Sequence, residues 1–299
     1  MQQFPPWIRR AWPSGAPFQE VKSLLGDLGL HTVCQSAHCP NQAECWGRKT
    51  ATFMVLGNVC TRHCTYCAVN SGKPEGVMEE EPEQIAEAVV RLGLKHTVLT
   101  SVTRDDLADG GAEHIGRTIE CIHERSPETT VEVLVQDFNA DEAAITRVLD
   151  ARPEVFSHNI ETVERIHPKL RDRRFSYRQS LEVLHIAARL GQEQGVWVKT
   201  GLMAGCGETA GEVVQTLHDL HASGCRAVSI GQYLQPTARH HSVDRFVTPE
   251  EFASYESAAR EIGFGFAVAG PFVRSSYRSE ELMAVPRPNT LLPLGAKHG

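Results

Sequence analysis

Six of the nine cysteines in this 299-residue chain fall in one stretch, where they form two triplets. The first triplet, spaced C-x4-C-x5-C, and the second, spaced C-x3-C-x2-C, are Cys34, Cys39 and Cys45, followed by Cys60, Cys64 and Cys67. Thiolates gathered this tightly usually hold metal, and an odd total of cysteines fits poorly with complete disulfide pairing. We therefore expect two metal sites, for which the rest of the chain is the scaffold.

Charge and hydropathy exclude several other classes of protein. The formal net charge of −7 argues against broad binding to nucleic-acid phosphates, and the run Arg171, Arg173 and Arg174 is interpreted as a solvated loop. No apolar run approaches the ~18 residues of a membrane helix, and residues 1–18 do not resemble a secretory signal. We expect a cytoplasmic protein with no membrane or nucleic-acid partner, in a compartment where thiols stay reduced.

Beyond the first triplet, short apolar strands alternate with amphipathic helices. The predicted strands are 51–58, 96–101, 129–137, 153–161, 196–203 and 226–234, with a short last strand at 264–270. The predicted helices are 17–30, ahead of the triplets, and then 82–94, 111–124, 141–150, 177–191, 210–224 and 248–263. Pro40 and Asn41 interrupt regular structure in the first triplet, which is therefore predicted to be an irregular ligand loop.

This alternation favours a parallel sheet with helices outside it. Six β/α units are too few for a closed eight-fold barrel. We predict an α/β fold with a partial (β/α)6 TIM-like barrel, and a doubly wound sheet remains the alternative. In either fold the reactive groups gather at the carboxyl ends of the strands. The second triplet directly follows the first predicted strand and meets that expectation.

The second triplet has the donors for an incomplete iron–sulfur site. Three thiolates can ligate three irons of a [4Fe–4S] cubane and leave the fourth iron open to a small chelating ligand. A structural zinc site is the alternative, but the usual two C-x2-C pairs are absent. An electron carrier of the ferredoxin type is a further alternative, although such proteins are short and this chain carries a large scaffold.

The segment CTRHCTYC, from Cys60 to Cys67, resembles the signature of the radical S-adenosylmethionine (SAM) superfamily, including the aromatic Tyr66 before the last cysteine. The resemblance implies that SAM binds the open iron. One electron then cleaves its sulfonium and gives a 5′-deoxyadenosyl radical, which abstracts hydrogen from an unactivated C–H bond. The task of the protein is to position the substrate and exclude water.

The first triplet, with the words CPN and ECW, is similar to an N-terminal motif of the lipoyl synthase family. The words GNVCTR (57–62), SVTRDDLADGGA (101–112), HNIET (158–162), IGQYLQPT (230–237) and RSSY (274–277) also match that family. The resemblance covers residues 20–282, almost the whole chain. It implies a radical SAM enzyme that inserts two sulfur atoms, at the sixth and eighth carbons of an octanoyl chain that is amide-linked to a lysine of a carrier domain.

The same resemblance implies two [4Fe–4S] clusters. The second triplet would hold the cluster that binds SAM, and the first would hold an auxiliary cluster that donates the sulfur. Ser276 would be the fourth ligand of the auxiliary cluster, and Arg274 would order the loop. The alternative for Ser276 is that its hydroxyl only hydrogen-bonds to the backbone within a turn.

Three segments follow from the same resemblance. Residues 1–50 form an N-terminal extension with the auxiliary cysteines, residues 51–263 the partial barrel, and residues 264–299 a C-terminal extension with the RSSY word. The two extensions are expected to close the barrel mouth.

The implied partners are octanoylated lipoyl carrier domains, either the E2 subunit of 2-oxoacid dehydrogenases or the H protein of glycine cleavage. An electron donor such as ferredoxin or flavodoxin and an iron–sulfur carrier for cluster repair are also implied. Other sulfur-inserting enzymes of the superfamily, such as biotin synthases and methylthiotransferases, lack the first-triplet and RSSY words. A non-catalytic iron–sulfur electron carrier or redox sensor is the alternative from another class.

Polar and aromatic side chains at strand ends are the candidate SAM contacts besides Tyr66. They are Ser101 and Thr103 for the methionine part, Asn159 and Glu161 for the ribose, Lys199 and Met203, and Tyr233 with Leu234 near the adenine. Ordinary packing or helix capping is the alternative for each. Cys121, Cys206 and Cys225 have no partners by spacing and are predicted to be small core residues.

Overall fold

The computed structural model describes residues 4–8, 16–48 and 50–287. Its strands are β1 (His31–Thr32), β2 (Thr52–Val55), β3 (Val59–Cys60), β4 (Asn70–Ser71), β5 (His96–Ser101), β6 (Thr130–Leu134), β7 (Val155–Ser157), β8 (Trp197–Ala204), β9 (Ala227–Gln232) and β10 (Phe266–Gly270). Eight of them form one sheet in the order β1-β2-β5-β6-β7-β8-β9-β10, and β3 pairs with β4. All neighbours in the large sheet are parallel except β1, which is antiparallel to β2.

The helices are α1 (Ala16–Asp27), α2 (Val33–Ser36), α3 (Gln42–Gly47), α4 (Glu81–Leu92), α5 (Ala112–Arg125), α6 (Glu142–Asp150), α7 (His167–Leu170), α8 (Tyr177–Gly191), α9 (Ala210–Ala222) and α10 (Pro249–Ile262). Helices α4, α5, α6, α8, α9 and α10 each connect two neighbouring parallel strands, as the alternating pattern predicted. None of the described helices has the length and apolar character needed to cross a bilayer.

The strand order selects between the two predicted architectures. From β2 to β10 the strands follow the sequence in one direction. Because parallel crossovers share one hand, an order that never reverses places all the crossover helices on one side, and the sheet curves into a barrel. A doubly wound sheet needs a reversal in the middle. The partial barrel is therefore confirmed, and β10 extends six β/α units by a seventh parallel strand.

The first triplet is not the irregular loop that the sequence predicted. Cys34 lies in the one-turn helix α2, whose cap Thr32 accepts a hydrogen bond from the backbone N–H of Gln35. Cys45 lies in α3, and the break expected at Pro40 falls between these two helices. Proline and asparagine end one helical turn here and allow the next to begin, so a turn signal was mistaken for a longer loop.

The outer core between sheet and helices contains the three cysteines that lie outside the triplets. Cys121, Cys206 and Cys225 are 2%, 5% and 0% exposed, which confirms them as core residues. All nine cysteines are free thiols.

A second, smaller apolar cluster fills the barrel at the first residues of its strands. Leu282, on the 3-10 helix Ser279–Ala284, is fully buried there against Val155, Trp197 and Phe266. Side chains alternate between the two faces of a strand, and the neighbours Phe156 and Val198 pack in the outer core. The C-terminal segment therefore plugs the floor of the barrel as well as approaching its mouth.

Replacing Leu282 by alanine is expected to lower the free energy of unfolding by about 2–5 kcal/mol, because the plug would leave a cavity among large rigid neighbours. Urea denaturation of the cluster-free protein measures this. Val90→Ala, at a side chain that is 42% exposed on α4, is the control and should change it by no more than about 0.5 kcal/mol. Equal effects of the two substitutions would contradict the conclusion that Leu282 fills the floor of the barrel.

Candidate metal centres and the cavity between them

A cavity of about 460 Å³ opens at the carboxyl ends of the barrel strands. All three cysteines of the second triplet line it, together with Cys39 of the first triplet. The segment Arg274–Ser276 forms another part of its wall. The structure therefore brings the second triplet, Cys39 of the first triplet and the sequence-distant RSSY word to a single chamber, whereas Cys34 and Cys45 lie outside its lining.

The loop that carries the second triplet is held by a buried guanidinium, which sequence reasoning missed. The Arg62 side chain is 1% exposed and forms ion pairs at 2.8 Å with both Asp105 and Asp137. Its guanidinium carbon also lies 4.1 Å from the ring centre of Phe175. Each aspartate follows a barrel strand, so the loop is fastened to the scaffold from within. The available sequence signal was the segment TRDD at 103–106, which contains the partner Asp105.

Replacing Arg62 by methionine is expected to lower the free energy of unfolding by about 3–5 kcal/mol, because Asp137 would be left as an unpaired buried charge. It should also lower the iron bound by the second triplet. Thermal unfolding and iron analysis measure the two effects. Arg178→Met, which removes an exposed ion pair with Glu164, is the control, and no more than about 1 kcal/mol is expected there. If Arg62→Met changed neither the free energy of unfolding nor the bound iron, Arg62 would not be what holds the loop.

The basic run 171–174 is only partly the solvated loop that the sequence suggested. Arg171 is 7% exposed, and its guanidinium carbon lies 3.6 Å from the ring centre of Phe175. Arg174 pairs with Asp172 at 2.8 Å and donates to the carbonyl of Thr61 at 2.7 Å. Of this run, Arg173 and Arg174 do lie at the surface, and only Arg171 is buried. The correction follows from tertiary contacts with the cluster loop, which local composition does not show.

Two buried histidines beside this loop should make the stability of the fold depend on pH. Burial and the nearby Arg171 charge lower the pKa of His158 to about 4, and the same two causes lower the pKa of His167 to about 4. In the unfolded chain both rings titrate near pH 6.5. Between those values the unfolded state binds more protons, so stability falls as the pH drops.

Lowering the pH from 7 to 5 is therefore expected to reduce the free energy of unfolding of the cluster-free protein by about 2 kcal/mol or more, because two rings are kept neutral in the fold. Urea midpoints at the two pH values measure this. The dependence should be shallower in His167→Gln, which removes one of the two rings. A midpoint that rises as the pH falls would contradict the assignment.

Three of the triplet thiols are poor anions in this environment until a cation joins them. Burial, together with neighbouring thiols, raises the pKa of Cys34 to about 11, that of Cys45 to about 12 and that of Cys67 to about 12. Backbone N–H groups nevertheless point at the sulfur atoms. Those of Arg62 and Asp172 donate to Cys60 and Cys64 at 3.4 Å. Such donors stabilise sulfur that carries charge in an iron–sulfur cluster.

The spacing of the thiols also bears on the zinc alternative. Among the described residues, no three His, Cys, Asp or Glu side chains lie close enough together to hold a single metal ion. Ligands of one zinc ion converge on a point, whereas the three ligands of a cubane stand at separate corners. A zinc ion and a cubane therefore make different demands on where three sulfur atoms stand.

The C-terminal segment is fastened to the helices of the first triplet. The side-chain amide of Asn41 donates to the carbonyl of Phe272 at 2.7 Å. The Tyr277 hydroxyl donates to Glu44 at 2.9 Å, and Glu44 precedes Cys45 in α3. These contacts bring Ser276 to the wall that it shares with Cys39. The predicted proximity of the RSSY word to the first triplet is thus present.

Most of the predicted SAM contacts line the cavity. They are Tyr66, Ser101, Thr103, Asn159, Glu161, Met203, Tyr233 and Leu234. The Ser101 hydroxyl is buried with no hydrogen-bond partner among the described residues, an arrangement that suits a polar ligand. Glu161 has a φ of 68°, a strained value for a side chain of this type, and backbone strain is often kept at functional sites.

Lys199 is the exception among these residues. It does not line the cavity, because its side chain is buried in the barrel interior and bonded to Glu132 and Ser275. The strand-end argument failed because Lys199 lies in the first half of β8, below the mouth, on the barrel-facing side of the strand that it shares with Trp197. The expectation of a direct SAM contact is corrected to a supporting position. Arg274 donates to the carbonyl of Val273 at 2.7 Å, within the loop it was predicted to order.

Two family models match the chain. One, described as the radical SAM superfamily, matches residues 54–220, and the other, described as the N-terminal domain of lipoyl synthase, matches residues 1–39. A lipoyl synthase of Caldicellulosiruptor saccharolyticus is 50% identical over 277 residues, which cover 93% of this chain and 96% of that protein. A lipoyl synthase of Thermus thermophilus is 47% identical over 279 residues, which cover 93% and 86%.

Solved structures share the fold at low sequence identity. Methylornithine synthase superposes with a TM-score of 0.53 at 12% identity, covering 91% of this chain and 94% of that one. A maturase of the FeFe-hydrogenase gives a TM-score of 0.58 at 16% identity, covering 85% and 64%. At such identities the likeness concerns the fold alone.

Proposed function

The chain belongs to the lipoyl synthase family of the radical SAM superfamily, and from that membership we propose its reaction. It inserts two sulfur atoms, at the sixth and eighth carbons of an octanoyl chain that is carried on a lysine of a lipoyl carrier domain. The family uses SAM and [4Fe–4S] chemistry, which supplies a 5′-deoxyadenosyl radical for hydrogen abstraction and sulfide for insertion. The single observation that carries the proposal is the cavity lined by the whole second triplet, by Cys39 of the first triplet and by Ser276.

The ligands divide between two clusters in this proposal. Cys60, Cys64 and Cys67 hold the cluster that binds SAM. Ser276 joins the three cysteines of the first triplet around the auxiliary cluster, the sulfur donor. An oxygen ligand bonds iron less durably than a thiolate does when protons are available, which suits a cluster that must be dismantled.

The cavity residues hold SAM between the cluster loop and the strand ends. The Ser101 hydroxyl offers the methionine part an unused hydrogen-bonding group, and Thr103 lies beside it. Asn159 and Glu161 follow β7, where their polar groups can meet the ribose hydroxyls. Burial raises the pKa of Glu161, so this carboxyl gains from a bound hydroxyl that hydrogen-bonds to it. Met203, Tyr233 and Leu234 supply the apolar wall for the adenine, and Tyr66 closes the loop side.

The chamber also suits the acyl substrate. Its volume of about 460 Å³ lies within the ordinary range for ligand clefts and cavities, and the side on which it opens gives an acyl chain a way in. Excluding water from a reactive carbon radical is the main task of the protein in such chemistry, and the cavity walls serve it on the sides that they cover. Because Cys39 and Ser276 face the same space as the second triplet, one acyl tail can reach both sides of the chamber without leaving the site.

The remaining assignments extend the same proposal. The carrier is an E2 subunit of a 2-oxoacid dehydrogenase or a glycine cleavage H protein. A ferredoxin or flavodoxin supplies electrons, and an iron–sulfur carrier rebuilds the auxiliary cluster. Residues 1–50, 51–263 and 264–299 remain the proposed segments, although β1 and β10 join the barrel sheet from the two outer ones. The reaction takes place in the cytoplasm, which suits oxygen-sensitive clusters and reduced thiols.

Anaerobic product analysis tests the reaction. Reconstituted protein should contain about eight irons and eight sulfides per chain. With SAM, a low-potential reductant and an octanoyl-lysyl peptide it should give lipoyl peptide, 5′-deoxyadenosine and methionine. Deoxyadenosine without sulfur in the peptide would overturn the proposed function, and an absence of SAM cleavage would favour an electron carrier.

A further inference from the structure

The segment 272–277, here called the serine arm, lies so close to the barrel strands that only glycine fits beneath it. A Cβ added at Gly231 of β9 would lie 2.0 Å from the Val273 carbonyl oxygen. One added at Gly201 of β8 would lie 2.4 Å from the Ser275 hydroxyl. Contacts under 3 Å with backbone cannot be relieved by turning a side chain, so Gly231 lets the backbone of the arm approach the sheet. At Gly201 the close atoms are the side-chain oxygens of Ser275 and Asn159, which the missing Cβ leaves room for.

A buried ion pair holds the arm from inside the barrel. The Lys199 amine donates to both carboxylate oxygens of Glu132 at 2.9 Å and to the Ser275 carbonyl at 2.6 Å. The two charged side chains are 2% and 0% exposed. A buried pair of this kind is costly to desolvate, and an apolar pair of the same volume would often be as stable. The contact with the arm is what an apolar pair could not supply.

Further hydrogen bonds fix the residues on both sides of Ser276. The Ser275 hydroxyl donates to the Asn159 side-chain oxygen at 2.8 Å, and Asn159 lines the cavity. On the other side, Tyr277 donates to Glu44 at 2.9 Å. Ser276 therefore lies between one neighbour that is anchored to the barrel and one that is anchored to the first-triplet helices.

We propose that Lys199 and Glu132 are positioning residues that hold Ser276 in place for the auxiliary cluster before that cluster is present. This inference rests on the proposed function, because it takes Ser276 as the fourth ligand. A serine hydroxyl is a weaker ligand than a thiolate. Its binding gains from an arm already held in the bound geometry, since the ordering entropy is then lost during folding and not during ligation.

The test isolates the auxiliary site in the full-length chain. Replacing Cys60, Cys64 and Cys67 together by alanine leaves only the first triplet to hold iron. In that background, Lys199→Met is combined with Glu132→Gln, so that no unpaired buried charge remains while Ser157 keeps its acceptor. Ser276→Ala is made in parallel. Mössbauer spectroscopy of the reconstituted, 57Fe-labelled proteins then reports whether one iron differs from the other three.

The double substitution is expected to change the spectrum to that of Ser276→Ala, with the distinct iron site lost. Hydrogen exchange on the cluster-free protein gives a second readout. The amides of Val273 and Tyr277, which donate to Gly270 and Arg274 at 3.1 and 3.0 Å, should exchange at least about tenfold faster than in the parent.

A second test, at Gly231, displaces the arm without changing the buried charges, in case the double variant does not fold. Gly231→Ala displaces the arm by steric contact with its backbone, and it should give the same spectral and exchange changes. Gly211→Ala on α9 is the matched control, because an added Cβ there meets nothing within 4 Å, and it should change neither readout.

The outcomes separate this inference from the proposed function. If Ser276→Ala itself leaves the spectrum of the parent unchanged, the ligand assignment within the proposed function fails, and the inference fails with it. If Ser276→Ala removes the distinct iron while the folded double variant and Gly231→Ala retain it, the positioning role alone is overturned. A distinct iron that is lost in all three variants, with faster exchange of the arm in the last two, supports both.

Discussion

Replacing Cys60 by alanine is expected to reduce the cleavage of SAM by about 1,000-fold or more, because two thiolates do not hold a cubane with one open iron. Cys60 lines the cavity, and its sulfur accepts a hydrogen bond from the Arg62 backbone N–H at 3.4 Å, so the substitution removes a thiolate that the loop already holds at the cavity wall. The measurement is 5′-deoxyadenosine formed per chain under anaerobic reducing conditions. Iron should fall from about eight to about four per chain.

Cys121→Ala is the control for that substitution. Cys121 is a buried free thiol on α5, outside the cavity wall, so its replacement should preserve both the iron content and SAM cleavage. Substantial SAM cleavage by the Cys60 variant would show that the second triplet is not the radical-generating site.

Replacing Ser276 by alanine is expected to separate the two half-reactions. Formation of lipoyl peptide should fall by about 100-fold or more, while SAM cleavage stays within about threefold of the parent. The reason is that the second triplet keeps all its ligands, whereas the auxiliary cluster loses an oxygen ligand at the wall it shares with Cys39. The two products are measured in the same reaction mixture, by mass spectrometry of the peptide and by chromatography of deoxyadenosine.

Ser254→Ala serves as the matched control for Ser276→Ala. Its hydroxyl donates to the Glu251 carbonyl within the exposed helix α10, so neither product should change. A normal yield of lipoyl peptide from the Ser276 variant would refute the ligand assignment. A parallel loss of both products would indicate instead that the serine arm supports the SAM site.

Much of the scaffold could be predicted from local pattern. The strand 96–101 and the helix 177–191 lie where the apolar periodicity placed them, because a half-buried strand and an amphipathic helix each have a fixed repeat. The prediction that Cys225 is a core residue was also confirmed, because its side chain is buried. The helices of the first triplet were missed, since one-turn elements have too few residues to show a period.

Some parts of the candidate site could be predicted from the sequence, and others could not. Spacing indicated both triplets, because ligands on one loop are close in sequence as well as in space. Arg62 was missed because its partners Asp105 and Asp137 lie 43 and 75 residues further along the chain. Lys199 was wrongly predicted to reach the cavity. The side that a strand residue faces and its depth in a barrel depend on register and tilt, which the sequence does not show.

The sequence by itself determined the cysteine spacings, the β/α alternation and the family, since each is a property of neighbouring residues or of matched words. Only the tertiary structure decided that the second triplet, Cys39 and the serine arm share a cavity, and that a buried lysine–glutamate pair supports the arm. The physical reason is that these contacts join residues far apart in the chain, such as Lys199 with Glu132, 67 positions apart, and Tyr277 with Glu44, 233 positions apart. Their proximity depends on the curvature of the sheet and on the close approach allowed at Gly231, which no local pattern encodes.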